Sequence, residues 1–172
     1  DEAYIDFGGE SAIKLINKYN NLLVIQTFSK SRSLAGMRLG FALGNKELIK
    51  GLKNIKFSFN SYTINRLSIL AGIEAFKDEE YFKESVSKII TTREKTKEEL
   101  KKLGFKVLDS KSNFLFISHN KIFGENIYLK LKDKGILVRY FKKEIINNFI
   151  RVTIGTYEEM IIFINALKEI IN

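Results

Sequence analysis

Lys30 stands in the run Thr27-Phe28-Ser29-Lys30-Ser31-Arg32-Ser33-Leu34-Ala35-Gly36-Met37-Arg38-Leu39-Gly40, with a hydroxyl three residues before it and an arginine eight after it. Asp1-Glu2-Ala3-Tyr4 brings an acid and a phenol at matching spacing, and Arg151 lies far downstream in Ile150-Arg151-Val152-Thr153-Ile154-Gly155. An amine that can be neutral at working pH forms a Schiff base with an aldehyde. An acid facing a pyridine nitrogen keeps it protonated, so that the ring accepts charge from a carbanion. Cations and hydroxyls take a phosphate. Together these are the parts that hold pyridoxal phosphate (PLP).

Lys30 closely follows an apolar run, so its side chain is expected to emerge from a rigid element. Asp1 would face the pyridine nitrogen and Tyr4 the ring's phenolic oxygen. Arg38 offers a two-pronged fork to the cofactor phosphate, and Thr27 and Ser29 offer hydroxyls from the same turn. Gly36 and Gly40 would let the backbone approach closely. Ser31 and Ser33 are assigned to the turn itself, and Arg32 is expected to be solvated, without a role. Arginine inside an apolar strand is costly unless paired. Arg151 therefore either faces solvent on an edge strand or meets an anion, and Arg139, in Ile136-Leu137-Val138-Arg139-Tyr140, poses the same question. The lone His119 reads as a strand-end or loop residue. One histidine without cysteines cannot build an ordinary zinc site, and no metal is expected.

The elements that must position these groups alternate between strand and helix character. Ala3 to Phe7 reads as a strand end and Ser11 to Lys18 as a helix. Leu22 to Thr27 is expected to be a buried strand and Leu39 to Leu43 another. Helices follow over Lys46 to Lys53, Thr63 to Phe76 (with Leu67, Leu70, Ala71 and Glu74 on one face) and Tyr81 to Leu103, the last ended by Gly104. Then come strands at Phe105 to Leu108 and Asn113 to Ser118, a helix over Glu125 to Lys134, and strands at Ile136 to Tyr140 and Phe149 to Ile154. Tyr157 to Ile171 closes the chain as an amphipathic helix with Met160, Ile161, Ile164, Leu167 and Ile171 on its apolar stripe.

With 172 residues and 45% hydrophobic side chains, the chain is long enough for one good core or two small domains. The texture changes from Phe105, the boundary is expected between about Phe76 and Tyr81, and the expected division is residues 1–77, part of a larger sheet, and 78–172, an α+β unit. The net charge of +9 is spread along helices, as in Lys95, Lys97, Lys101 and Lys102, among glutamates; this is a solvated face rather than a nucleic-acid surface. No apolar run approaches the roughly 20 residues of a membrane span. Asp1-Glu2-Ala3-Tyr4 does not read as a signal peptide, and the cytoplasm is the expected compartment. The chain has no proline against an average of about 5%, for which there is no physical account. Without an initiator methionine, the chain reads as the C-terminal portion of a larger protein.

The Asp-Glu-Ala-Tyr opening, the Thr27-to-Gly40 block and Arg151-Val152-Thr153-Ile154-Gly155 resemble the motifs of fold-type I PLP-dependent aminotransferases, and within them of the histidinol-phosphate aminotransferase family. Phe59-Asn60-Ser61-Tyr62, Ser112-Asn113-Phe114 and Gly135-Ile136-Leu137-Val138-Arg139 carry the same resemblance. It covers essentially the whole chain and maps onto the family's C-terminal half. It implies an α/β fold: the end of the large PLP-binding α/β/α sheet domain, followed by a small α+β C-terminal domain. It implies Lys30 as the Schiff-base lysine and proton shuttle, Asp1 and Tyr4 as partners of the ring, and Thr27, Ser29 and Arg38 as ligands of the cofactor phosphate. It gives Arg151, assisted by Arg139, the substrate anion, which is the phosphate of histidinol phosphate or the carboxylate of glutamate. Tyr62 is implied to serve the neighbouring subunit's site in a homodimer. The implied reaction is transamination between histidinol phosphate and 2-oxoglutarate in histidine biosynthesis. The unmatched half of the family supplies the aromatic that stacks on the ring, a phosphate turn, an asparagine and part of the dimer interface, so the chain alone is expected to be inactive. The alternatives are an aromatic aminotransferase, a threonine-phosphate decarboxylase and a non-catalytic basic binding domain.

Overall fold

A computed structural model describes residues 1–171. By contact, the chain divides into two compact units, Asp1–Val86 and Ser87–Asn172.

The first unit opens on two short 3-10 helices, Ile5–Phe7 and Ala12–Leu15. The strand end expected over Ala3 to Phe7 is replaced by a turn. The Phe7 amide donates to the Tyr4 carbonyl at 3.1 Å, and Gly8, at φ +109°, ends the helix. The Glu2 amide keeps a strand-like bond, to the Ile25 carbonyl at 2.8 Å. Burial explains the turn, because it brings Phe7 fully out of water. The expected helix over Ser11 to Lys18 shortens to one 3-10 turn, with the Ser11 hydroxyl accepting from the Ile13 amide.

Strands β1 (Leu23–Thr27) and β2 (Gly40–Gly44) pair antiparallel, with Leu23 opposite Gly44 and Thr27 opposite Gly40. β1 was expected to be buried on both faces, yet only Val24 is buried, and Ile25 is half exposed. A strand is covered on both sides only when further layers pack on its faces, and this sheet has two strands. Helix α1 (Lys46–Phe59) is capped by the Asn45 side chain and runs past its expected end at Lys53. Helix α2 (Arg66–Lys77) is capped by Asn65. Its Leu67 and Leu70 point to solvent, and the buried positions are Ser68 and Gly72 instead. A Cβ at Gly72 would fall 2.7 Å from Leu39 Cδ1, so the close approach selects small residues there. Helix α3 (Glu79–Lys102) opens this unit's last segment and runs on into the second unit.

Gly104, at φ +83°, ends α3. Strands β3 (Phe105–Val107), β4 (Phe114–His119), β5 (Arg139–Tyr140) and β6 (Ile150–Thr153) form an antiparallel sheet in the order β3-β4-β6-β5. Helices α4 (Gly124–Asp133) and α5 (Tyr157–Ile171) belong to the same unit. The core gathers Leu100, Leu115, Ile117, Ile127, Leu131, Ile150 and Leu167, each contributing about 1.5–3 kcal/mol by leaving water. α5 buries Met160, Phe163, Ile164, Ala166, Leu167 and Ile170, whereas Ile161, expected inward, is 43% exposed. β5 is shorter than the expected Ile136 to Tyr140. The Ile136 amide donates to the Leu131 carbonyl and the Gly135 amide to Lys132, so this stretch caps α4 before it can join the sheet. His119 ends β4, buried, with its ring 4.9 Å from that of Phe105 and Nδ1 accepting from the Lys121 amide. Among the described residues no helix is long and apolar enough to cross a membrane.

Candidate active site

In the first unit Lys30 lies on a loop that closes on itself. The Phe28 amide donates to the Leu39 carbonyl, the Leu34 amide to Phe28 at 3.0 Å and the Ser33 amide to Lys30 at 3.2 Å. Lys30 Nζ lies 5.5 Å from the centre of the Tyr4 ring. The Thr27 and Ser29 hydroxyls are 2.9 Å apart at the end of β1, and the Ser29 amide donates to Thr27 Oγ1. Ser33 and Arg38 have φ of +56° and +55°, the left-handed region that non-glycine residues rarely adopt and that clusters at working sites. Arg38 donates from one guanidinium nitrogen to the Ala35 carbonyl at 2.9 Å, and the side chain is otherwise exposed. A Cβ at Gly40 would fall 2.9 Å from the Gln26 carbonyl oxygen, so glycine is needed for strand pairing. Gly36, by contrast, meets open space.

Asp1 is exposed, its carboxylate accepting from the Ala3 amide at 2.9 Å. The next residue anchors this segment. Glu2 accepts from the Ser11 hydroxyl at 2.8 Å, the Ala12 amide at 2.7 Å and Gln26 Nε2 at 2.9 Å. Burial pushes the Glu2 carboxyl up, but hydrogen bonds from Gln26, Ala12 and Ser11 together bring it below its usual value. The sequence reading passed over Glu2; its only signal was an acid beside a site residue.

Two readings of the lysine loop are corrected. Ser31 is buried, and its hydroxyl donates to the Asp6 carboxylate at 2.5 Å, reaching another segment instead of serving its own turn. Arg32 is half-buried rather than solvated. Its guanidinium lies 4.0 Å from the Phe82 ring centre and 5.2 Å from that of Phe76, and it donates to the Ala75 carbonyl. Tyr62 sits in the turn between α1 and α2, 95% exposed.

In the second unit Arg151 occupies β6, which is flanked by β4 and β5. The solvent-facing edge alternative is thereby removed. Its guanidinium carbon lies 5.3 Å from the Phe114 ring centre and 5.9 Å from that of Phe141. Among the described residues no hydrogen-bond partner reaches its buried Nε. Arg139 is directly opposite in the ladder, 5.4 Å from the Phe141 ring. A buried arginine nitrogen left unpaired, with a second cation beside it, suits an anion. A separate cavity of about 570 Å³ is lined by Tyr157, Met160 and Ile164 and by charged residues of α3, and it contains none of these groups.

Lys30 thus sits on the loop that joins β1 to β2, with the Tyr4 ring of the opening segment beside its amine. The chain belongs to the class I and II aminotransferase family, whose model matches residues 1–167. It is 74% identical over 172 residues to the histidinol-phosphate aminotransferase of Brachyspira hyodysenteriae, covering 99% of this chain and 49% of that protein. It superposes on the crystal structure of the histidinol-phosphate aminotransferase of Clostridium acetobutylicum with a TM-score of 0.90 at 31% identity, covering 100% of this chain and 53% of that one. The histidinol-phosphate aminotransferase of Sinorhizobium meliloti in complex with pyridoxal-5'-phosphate gives a TM-score of 0.87 at 28% identity, covering 99% and 47%. The chain thus spans about half the length of the curated relatives it matches.

Proposed function

We propose that this chain serves, within the full-length protein, a PLP-dependent transamination between histidinol phosphate and 2-oxoglutarate in histidine biosynthesis. The observation that carries the reading is the Lys30 amine beside Tyr4 at the head of a loop bearing two adjacent hydroxyls and Arg38. Similarity to the Brachyspira enzyme over 99% of the chain supports the choice of substrates.

The residues present fit the cofactor. Lys30 supplies the amine, Thr27, Ser29 and the free face of Arg38 supply donors for its phosphate, and Gly36 leaves room beside them. Bound there, PLP supplies an electrophilic carbon for amines and a ring that accepts charge developing at the substrate Cα. With the cofactor bound, the Asp1 carboxylate would hold the proton on the ring nitrogen, and the Tyr4 hydroxyl would donate toward the ring oxygen. Lys30 Nζ removes and returns the proton at Cα as general base and acid. Arg151 and Arg139 bind the substrate anion, phosphate in one half-reaction and carboxylate in the other. In this reading residues 1–77 end the large cofactor-binding domain and residues 78–172 form the small one. The protein works as a cytoplasmic homodimer in which the exposed Tyr62 reaches the neighbouring subunit's site.

The test is an absorbance spectrum of the full-length protein after PLP addition, followed by borohydride reduction and peptide mapping. A near-visible band with the reduced adduct on Lys30 is expected. No band and no Lys30 adduct would overturn the assignment.

A further inference from the structure

The two residues that follow Lys30 are tied in different directions. Ser31 is 4% exposed and donates its hydroxyl to Asp6, on the segment that also carries Tyr4. Arg32 reaches the corner between α2 and α3. It donates to Ala75 in the last turn of α2, where helix carbonyls lack intrahelical donors and favour a cation. Its planar guanidinium also lies 4.0 Å from the ring centre of Phe82, in the first turn of α3. Beside the loop lies a cavity of about 310 Å³, lined in part by Ser31, Arg32, Ala75 and Phe82. The loop itself is exposed at Lys30 and strained at Ser33.

We infer that Ser31 (through Asp6) and Arg32 (through Ala75 and Phe82) are positioning residues that brace the Lys30 loop from two sides and fix the Lys30 amine against Tyr4. The inference rests on the proposed cofactor reading. Neither side chain needs to touch cofactor or substrate. Each removes a direction in which the loop could slide. The Asp6 tie fixes the distance from lysine to phenol, and the Arg32 clamp fixes the loop's tilt. A reacting amine displaced by about 1 Å loses on the order of 10²-fold in rate; the loop's backbone bonds hold its base, and the two side-chain ties tether it to other segments.

The experiment uses the full-length protein in four forms: wild type, Ser31→Ala, Arg32→Ala and Arg32→Lys. Three quantities are read: the rate at which PLP added to apo-protein becomes borohydride-trappable on Lys30, the pH midpoint of the near-visible band, and apo-protein melting. Ser31→Ala and Arg32→Ala are expected to slow trapping roughly tenfold or more and to move the midpoint. Arg32→Lys keeps the charge but not the flat fork, and is expected to recover only part of the rate. Should Arg32→Ala fail to fold, Arg32→Lys and Phe82→Leu carry the same comparison. Variants that melt lower but trap PLP at the wild-type rate with an unmoved midpoint would show a purely structural role and overturn the brace. A wild-type protein without a Lys30 adduct overturns the cofactor reading itself, an outcome distinct from that one.

Discussion

Arg139 and Arg151 face each other across the β5–β6 ladder, with both guanidiniums near the Phe141 ring and the buried Arg151 Nε without a partner among the described residues. Like charges directly opposite in a sheet destabilise it by about 0.2–1 kcal/mol, so a fold that keeps the pair gains something else by it. An anion bound between them, as proposed, would remove the repulsion and satisfy the nitrogen.

From this follows a trade-off. Arg139→Gln in the full-length protein is expected to raise the melting temperature slightly at low salt, by the equivalent of about 0.2–1 kcal/mol, and added sodium chloride should close the gap. Inorganic phosphate is expected to stabilise wild type by mass action and the variant much less. Arg151→Ala should weaken both substrates while sparing cofactor binding. Melting curves with and without phosphate check the first part, and an equal phosphate shift in wild type and Arg139→Gln would sink the paired-anion reading.

Lys30→Ala tests the other half of the machinery. In the full-length protein the near-visible band should vanish and turnover should fall by several orders of magnitude, because the Lys30 amine beside Tyr4 is the group proposed to form the Schiff base. Wild-type-like turnover in that variant would remove Lys30 from the chemistry.

Local chain neighbours were legible in the sequence, and contacts set by strand register or tertiary packing were not. Thr27 and Ser29 are two positions apart, so the meeting of their hydroxyls could be read directly. The β5–β6 pairing that sets Arg139 opposite Arg151 is a register between strands and had no local signal. Ala3-Tyr4-Ile5 mimicked a strand because its alternation suits one, but burial of Phe7 selected a turn. The spacing of Leu67 and Leu70 marked α2 as a helix but did not show its packed face, where Gly72 meets Leu39. The ties of Ser31 to Asp6 and Arg32 to Ala75 span 25 and 43 positions, which no spacing rule reaches.

Glu2 supplies an acid-limb prediction. Its carboxyl lies below its usual value because its three hydrogen bonds to Gln26, Ala12 and Ser11 outweigh the upward push of burial. A depressed carboxyl contributes stability that is present above the unfolded value, near 4.5, and is lost as pH falls through the folded one. Glu2→Gln should cost roughly 1 kcal/mol at neutral pH, since one of the three donors then meets an amide N–H and the site is partly solvated. It should also flatten the fall in stability below pH about 4.5 relative to wild type. Denaturant titrations at neutral pH and in acid measure both, and parallel acid limbs would show that the network is not coupled to the Glu2 proton.

Gly36 and Gly40 separate space for the fold from space for the cofactor. A Cβ at Gly40 would press to 2.9 Å on the Gln26 carbonyl oxygen, which is backbone of the paired strand and cannot swing aside. Gly40→Ala is therefore expected to destabilise by about 1–3 kcal/mol whether or not PLP is present. At Gly36 nothing lies within 4 Å and φ is not positive, so alanine there should leave the apo-protein unchanged or stabilise it by about 0.4–1 kcal/mol. If the open space at Gly36 is where the cofactor phosphate approaches the backbone, the same methyl group obstructs it, and PLP affinity should fall roughly tenfold, about 1.4 kcal/mol. Fluorescence titration of apo-protein with PLP, beside melting curves of the same samples, reads the two effects separately. A Gly36→Ala protein that binds PLP as tightly as wild type would move the phosphate site away from this turn and leave Thr27, Ser29 and Arg38 to hold it from the other side.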